Sequence, residues 1–328
     1  MLYRNLNFFF LVWVLLTSLT ACQEEEYILP EPISQLTNDC LKRTIGPSIA
    51  SLPLEFAYAM AIPKSQGKLV SAQVEASIAG GTGTYLEHRS YYTNSGGVDV
   101  PVTVGSPSTA VDAGKSSKVT FTVDTNAATL RYYYIVPDEA KGQTVSFTFS
   151  VNSSDGKTAS YKMGPYNISK MSIKKNLTVS NGTNAFISIE DMAIYNATSA
   201  AAIPDKVDLV YLYRASPASF THALVSPGAD AAYLPGVTLP TGLKKSTKLR
   251  KVFGLQDRNL ANLQFGIYVD DIDLTSVDMT DMPNYAIGLR AEAGVWVETA
   301  DKKYRAYIYI NSVNAAGSAV LSMLRYTL

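Results

Sequence analysis

Five carboxylates crowd one short stretch of the chain: Asp270, Asp271, Asp273, Asp278 and Asp281. Hard oxygen ligands at such spacing could hold a calcium ion, and two of them could serve as the carboxylate pair of a glycosidase. The glycine and terminal glutamate of a calcium loop are absent, so the plainer expectation is a solvated strand end followed by a loop. Only two histidines occur, His88 and His222, far apart and without a cysteine pair, so no metal site is expected. No His-Glu-x-x-His or Gly-x-Ser-x-Gly motif is present. Ser65-Gln66-Gly67-Lys68 and Ser172-Ile173-Lys174-Lys175 match Ser-x-x-Lys, but the companion motifs of that enzyme class are missing. The stretch Gly80-Gly81-Thr82-Gly83 opens no helix and so lacks the aligned amides that cradle phosphate; it reads as a hairpin loop. The expectation is a non-catalytic protein that needs no cofactor.

A second constellation sits around Asp301. A two-residue loop (Asp301-Lys302), or a four-residue loop starting at Ala300, sets Glu298 opposite Arg305, Val297 opposite Ala306 and Trp296 opposite Tyr307. Side chains alternate between the faces of a strand, so Trp296, Glu298, Arg305, Tyr307 and Tyr309 share one side. An aromatic row beside charged hydrogen-bonding groups suits a sugar: the rings stack on its apolar face and the polar groups take its hydroxyls. These five are the candidate ligand-binding residues. The competing expectation is that Trp296 and Tyr307 pack beneath other structure, as large aromatics usually do, which would end the site hypothesis. Tyr91 and Tyr92, after the glycine-rich loop, form a second candidate.

The elements that must position these groups are strands. Leu54, Phe56, Tyr58, Met60 and Ile62 alternate with small or polar residues, and Val70 to Ile78 repeat the period of two. The same period recurs at Val98–Val104, Val119–Val123, Leu130–Val136 and Val145–Val151. Ser154-Asp155-Gly156-Lys157 is a hairpin turn, because Asp-Gly readily adopts positive φ. This pattern predicts an all-β chain of two antiparallel β-sandwich domains. The first, residues 51–168, is of immunoglobulin-like size. The second, residues 172–328, is sandwich- or jelly-roll-like, with short helices near 197–202 and 257–263. Residues 22–50, interrupted by Pro30, Pro32 and Pro47, read as a tether.

Residues 1–21 read as a signal peptide: Arg4 supplies the positive charge, and the apolar run from Phe8 to Leu16 is too short to span a bilayer. Leu19-Thr20-Ala21-Cys22 resembles the bacterial lipobox, which implies lipidation of Cys22 and anchoring by several acyl chains. The acidic run Gln23-Glu24-Glu25-Glu26 resembles the surface-export signal of Bacteroidetes lipoproteins, implying outer-membrane display toward the medium. Lipidation uses one of the two cysteines and leaves Cys40 alone, so the fold must stand without a disulfide. Lysine plus arginine balances aspartate plus glutamate at 28 each, which leaves no basic field for nucleic acid.

The segments FISIEDMAIY, VDLVYLYR and WVETADKKYRAYIYINSV resemble those of uncharacterised secreted Bacteroidetes lipoproteins. That resemblance implies two β-rich domains and brings no activity with it. The expected function is a binding or accessory module for a glycan or another envelope protein, the oligomeric state being undetermined by the sequence. One alternative is a fimbrillin-like structural or adhesive subunit, for which Lys42-Arg43, placed before the first expected strand, would offer a processing site. The other is a glycoside hydrolase using the Asp270–Asp281 carboxylates.

Overall fold

The computed structural model describes residues 33–328, so the expected lipidation site Cys22 and the acidic run behind it lie outside the described residues. The first half contributes β1 (Thr37–Lys42), β2 (Pro53–Ala61), β3 (Leu69–Ala76), β4 (Tyr85–Leu86), β5 (Arg89–Thr93) and β6 (Asp99–Thr103). It continues with β7 (Thr109–Val111), β8 (Ser116–Thr120), β9 (Ala127–Ile135), β10 (Thr144–Ser153) and β11 (Thr158–Asn167). A sheet ordered β1-β2-β9-β4 packs on a second ordered β11-β10-β3-β8-β7, and every ladder is antiparallel. The expected alternation is what fills the space between them. Phe56, Tyr58, Tyr132, Tyr134, Phe147 and Phe149 are all buried there. Their rings interlock, with Phe56 4.8 Å from Phe147 and Phe147 5.0 Å edge-on to Tyr134. An aromatic core of this kind buries large apolar areas and supplies the stability that no disulfide provides.

Two expectations about this half need correction. Residues 37–42 lie inside the span read as a tether, yet they form the edge strand β1, paired with β2 from Thr37↔Ala61 to Lys42↔Phe56. Their alternation is faint because Cys40 is the sole fully inward side chain, while Leu41 faces solvent. Asn38 compensates by donating to Tyr58 Oη (2.9 Å) and to the Phe149 carbonyl (3.2 Å). Burial pushes the Cys40 thiol up to about 12, which leaves it almost wholly protonated and unreactive. The Val98–Val104 run is also not a sandwich strand. Residues 99–103 are β6, one arm of a two-stranded ribbon with β5; Val98 before it is 60% exposed, and of the four valines only Val104, past its end, reaches the core. Period two marks one face of a strand but does not say whether that face meets a core.

The second half holds β12 (Ser172–Ser180), β13 (Phe186–Ser188), β14 (Ala193–Tyr195), β15 (Leu209–Arg214) and β16 (Thr221–Val225). After β17 (Lys248–Phe253) come β18 (Tyr285–Leu289), β19 (Ala293–Glu298), β20 (Tyr304–Val313) and β21 (Ser318–Thr327). Three short helices interrupt them: α1 (Ala197–Ala202), α2 (Arg258–Ala261) and α3 (Asp271–Ser276). The sheets run β12-β21-β20-β19-β17 and β14-β13-β15-β16-β18, with Leu209, Tyr211, Leu224, Val295, Ile308 and Leu321 between them. Each sheet is covered on its other face as well. Residues from α2, α3 and their loops, joined by Ile49 and Met171, lie over the first sheet; α1 and the 229–243 loop lie over the second. Strands buried on both faces lose the polar half of their alternation, which is why β15 and β19 read as continuous apolar runs. The two halves meet where Ile49 packs with Met171, Trp296 and Leu324, and residues 35–328 pack as one compact unit.

Two buried polar side chains in this half have hydrogen-bond partners. Asp208 accepts from the Ile189 amide (2.8 Å) and from Lys245 Nζ (3.0 Å). His222 Nδ1 lies 2.6 Å from Tyr211 Oη, and its ring packs 4.7 Å from that of Tyr213. Burial pushes the His222 pKa below its ordinary 6.5, because the imidazolium would lose its hydration. A base depressed in the folded state contributes stability that is complete above its unfolded pKa and is lost as the pH falls through the folded value. The urea midpoint is therefore expected to fall as the pH drops below about 6.5, and less steeply in His222→Gln. Parallel curves for the two proteins would show that other groups carry the acid sensitivity.

Candidate functional site

The hairpin between β19 and β20 has the register expected from its turn, with Trp296 opposite Tyr307 and Glu298 opposite Arg305. Its aromatic face, however, is covered. Trp296 is only 8% exposed and Tyr307 and Tyr309 are buried, packed with Leu260, Val269, Leu274 and Met279 from the segment between β17 and β18. The Trp296 and Tyr307 rings sit 4.6 Å apart, and Tyr307 Oη donates to the Leu255 carbonyl. Arg305 holds Glu298 through two bonds of 3.0 and 2.8 Å and donates to the Leu274 and Thr275 carbonyls, closing the last turn of α3. Of the expected ligand-binding set, Trp296, Tyr307 and Tyr309 thus form a second core that offers no open sugar-stacking face, while the Glu298–Arg305 ion pair stays at its rim and lines a concavity of about 650 Å³ with Lys248, Asp278 and Lys302. The hairpin carried no sign of this; the apolar residues of the 255–282 segment did.

The acidic run is likewise occupied. Asp270 caps α3 by accepting from the Ile272 and Asp273 amides, and the Asp273 carboxylate returns a bond to the Asp270 amide. Asp271 accepts from Ser169 Oγ and the Lys170 amide, tying α3 to the chain between the two halves. The Thr280 amide bonds Asp278 and holds its pKa below the usual carboxylate range. Among the described residues no three His, Cys, Asp or Glu side chains are grouped to hold a metal ion.

An open surface with exposed aromatic rings lies on the first half. At one end of β2 and β9 the outward residues are small, so Ala59, Ala61, Ala127 and Thr129 make a flat floor. One wall is β1 at Thr37–Asp39; the other is the ribbon at Ser90, Tyr91 and Tyr92, and the groove between them holds about 440 Å³. The ribbon is fixed to the sheet. Ser90 Oγ accepts from the Thr129 amide at 2.9 Å, and the Tyr91 ring covers the Arg131 guanidinium at 4.0 Å. Arg131 in turn pairs with Asp99 across the ribbon, and Arg43 bridges Asp99 (3.5 Å) to Glu55 (3.1 Å). At the bend between β4 and β5, Arg89 grips the buried Glu87 through two bonds and holds its carboxyl below the usual range.

Tyr92 is left 55% exposed at the groove wall. Further along the outer face of β9, Tyr85 and Tyr133 stack with centroids 5.0 Å apart. An arginine-clamped ring, a free ring and a stacked pair beside a flat floor can take the apolar faces of an extended chain of sugars. Asp39 and Thr129 can meet hydroxyls. Tyr91 and Tyr92 belong to the second sequence candidate, whereas Tyr85, Tyr133 and the alanine floor were missed. They converge only through the pairing of β9 with β2 and β4, which no local pattern encodes.

Residues 33–168 match a family model described as a domain of unknown function (DUF4466), and residues 169–328 match another so described (DUF8576). The chain is similar to the crystal structure of a DUF4466 family protein from Parabacteroides merdae ATCC 43184. The two are 48% identical, with a TM-score of 0.85 over 90% of this chain and 100% of that one. A search of the curated proteins found no match.

Proposed function

Because this chain belongs to the DUF4466 family, whose description carries no activity, we propose its role from its own surfaces: a lipid-anchored, non-catalytic module that binds a glycan in the groove beside the β5–β6 ribbon. The observation that carries this reading is the clamped Tyr91 next to the free Tyr92 over a floor of alanines. Rings held in place before binding lose little freedom on capture, which favours a ligand with few strong contacts. The membrane part of the proposal rests on Leu19-Thr20-Ala21-Cys22 and the acidic residues behind it. No helix among the described residues is long and apolar enough to cross a bilayer.

A glycan-array screen of the lipidated chain in detergent tests the reading. Binding to at least one glycan class is expected, weakened roughly tenfold by Tyr92→Ala. No binding to any glycan would turn the proposal toward an envelope protein as partner. Release of Cys22→Ala from the membrane fraction, with protease sensitivity of the intact protein on whole cells, tests the anchor and its outward display.

One observation favours the fimbrillin-like reading as a second possibility. Lys42-Arg43 stands at the end of β1, not before the first strand, and the Arg43 amide donates to the Glu55 carbonyl at 2.7 Å. Cleavage after Arg43 would free β1 and leave the β2 edge open to a donor strand from another subunit. N-terminal sequencing of the cell-surface form separates the two readings, since a mature terminus after Arg43 also removes one wall of the groove.

A further inference from the structure

On the second half, away from the groove, a separate concavity of about 320 Å³ opens between the outer face of the β13–β15 sheet and the 235–238 loop. That volume falls at the small end of the range for ligand pockets. Its floor is apolar: Ala185, Phe186, Val210 and Leu212, with Val237 overhanging. Its rim is polar, with Asn181, Arg214 and Thr238, and carries a single charge. Arg214 is the single charged residue of the lining, is exposed, and makes no ion pair or hydrogen bond through its guanidinium among the described residues. Asn181 is oriented by the Tyr213 amide, which donates to its Oδ1 at 3.1 Å. The Asn181 acceptor is therefore engaged, and what it offers a ligand is its NH₂ group.

A rim that supplies a planar cation and an amide donor, above an apolar floor, asks for a ligand with acceptor oxygens at one end and hydrocarbon at the other. We infer that this pocket binds a small apolar monocarboxylate, with its carboxylate on Arg214 and the Asn181 amide and its hydrocarbon against Phe186, Val210 and Leu212. A carboxylate suits Arg214 because the guanidinium can bind both oxygens at once. An amine of the same shape would bring its cation against the Arg214 guanidinium, with no carboxylate in the lining to offset the repulsion. Ala197, exposed at the start of α1, lines the mouth, so its size controls entry.

Titration calorimetry of the full chain with octanoate tests the inference, with octylamine as the charge-reversed probe of equal length. Octanoate is expected to bind saturably at one site and octylamine not to bind. Arg214→Gln should weaken octanoate about tenfold or more, because it removes the charge while keeping a donor. Ala197→Phe should fill the mouth and abolish binding. Neither residue is buried, and circular dichroism should show both variants folded. No saturable heat with the parent protein overturns the inference, as does equal binding of octylamine. Undiminished affinity in Arg214→Gln would equally overturn it. Glycan binding at the ribbon groove is expected to be unchanged in both variants, so failure here leaves the other reading standing.

Discussion

Trp296→Ala is expected to destabilise the protein by about 3–5 kcal/mol while leaving glycan binding by the surviving folded fraction unchanged. The indole is packed against the Tyr307 ring beneath α2 and α3, and its removal leaves a cavity that the surrounding sheet cannot collapse to fill. Urea unfolding followed by circular dichroism gives the stability loss, and a glycan titration under native conditions gives the binding. A loss below about 1 kcal/mol would place the ring at a solvated surface and contradict the covered face. A selective loss of binding would return the site to the β19–β20 hairpin.

Asp208→Ala should cost about as much, roughly 3–5 kcal/mol, by a different mechanism. Burial pushes the Asp208 carboxyl up, while the Ile189 amide and Lys245 favour its charged form. Truncation leaves a lysine ammonium without its counter-charge in a mostly buried position and an amide without an acceptor. Replacing both charges, as Asp208→Leu with Lys245→Met, should recover a substantial part of the loss, because two desolvated charges are then removed together. If the double variant is as unstable as Asp208→Ala alone, the amide bond to Ile189 rather than the ion pair is what matters. Urea midpoints of the two variants and the parent protein decide between them.

The strands of the first sandwich were legible because each has one dry and one wet face. Phe56, Tyr58 and Met60 on β2, and Phe147 and Phe149 on β10, stand at every second position and all point inward. The hairpin register at Trp296 and Tyr307 was legible for the same local reason. What the pattern could not carry was the third layer. Whether an apolar row meets a partner depends on where a distant segment folds back, and 255–282 does so over Trp296 while Val98 stays mostly exposed among the described residues. The two rows look alike in sequence and have opposite fates. The groove was half legible: Tyr91 and Tyr92 stood out as residues, but their alanine floor belongs to strands brought together across the chain.

Ile49 carries a last consequence. The two family matches meet between residues 168 and 169, and a boundary drawn there assigns Ile49 to the first. Its side chain nevertheless sits with Met171, Trp296 and Leu324. The border between the matches is therefore not a border of packing. A chimaera that exchanged either half at residue 168 would set a foreign side chain where Ile49 plugs the core of the other half, and such a swap is expected to destabilise the second half unless residue 49 travels with it.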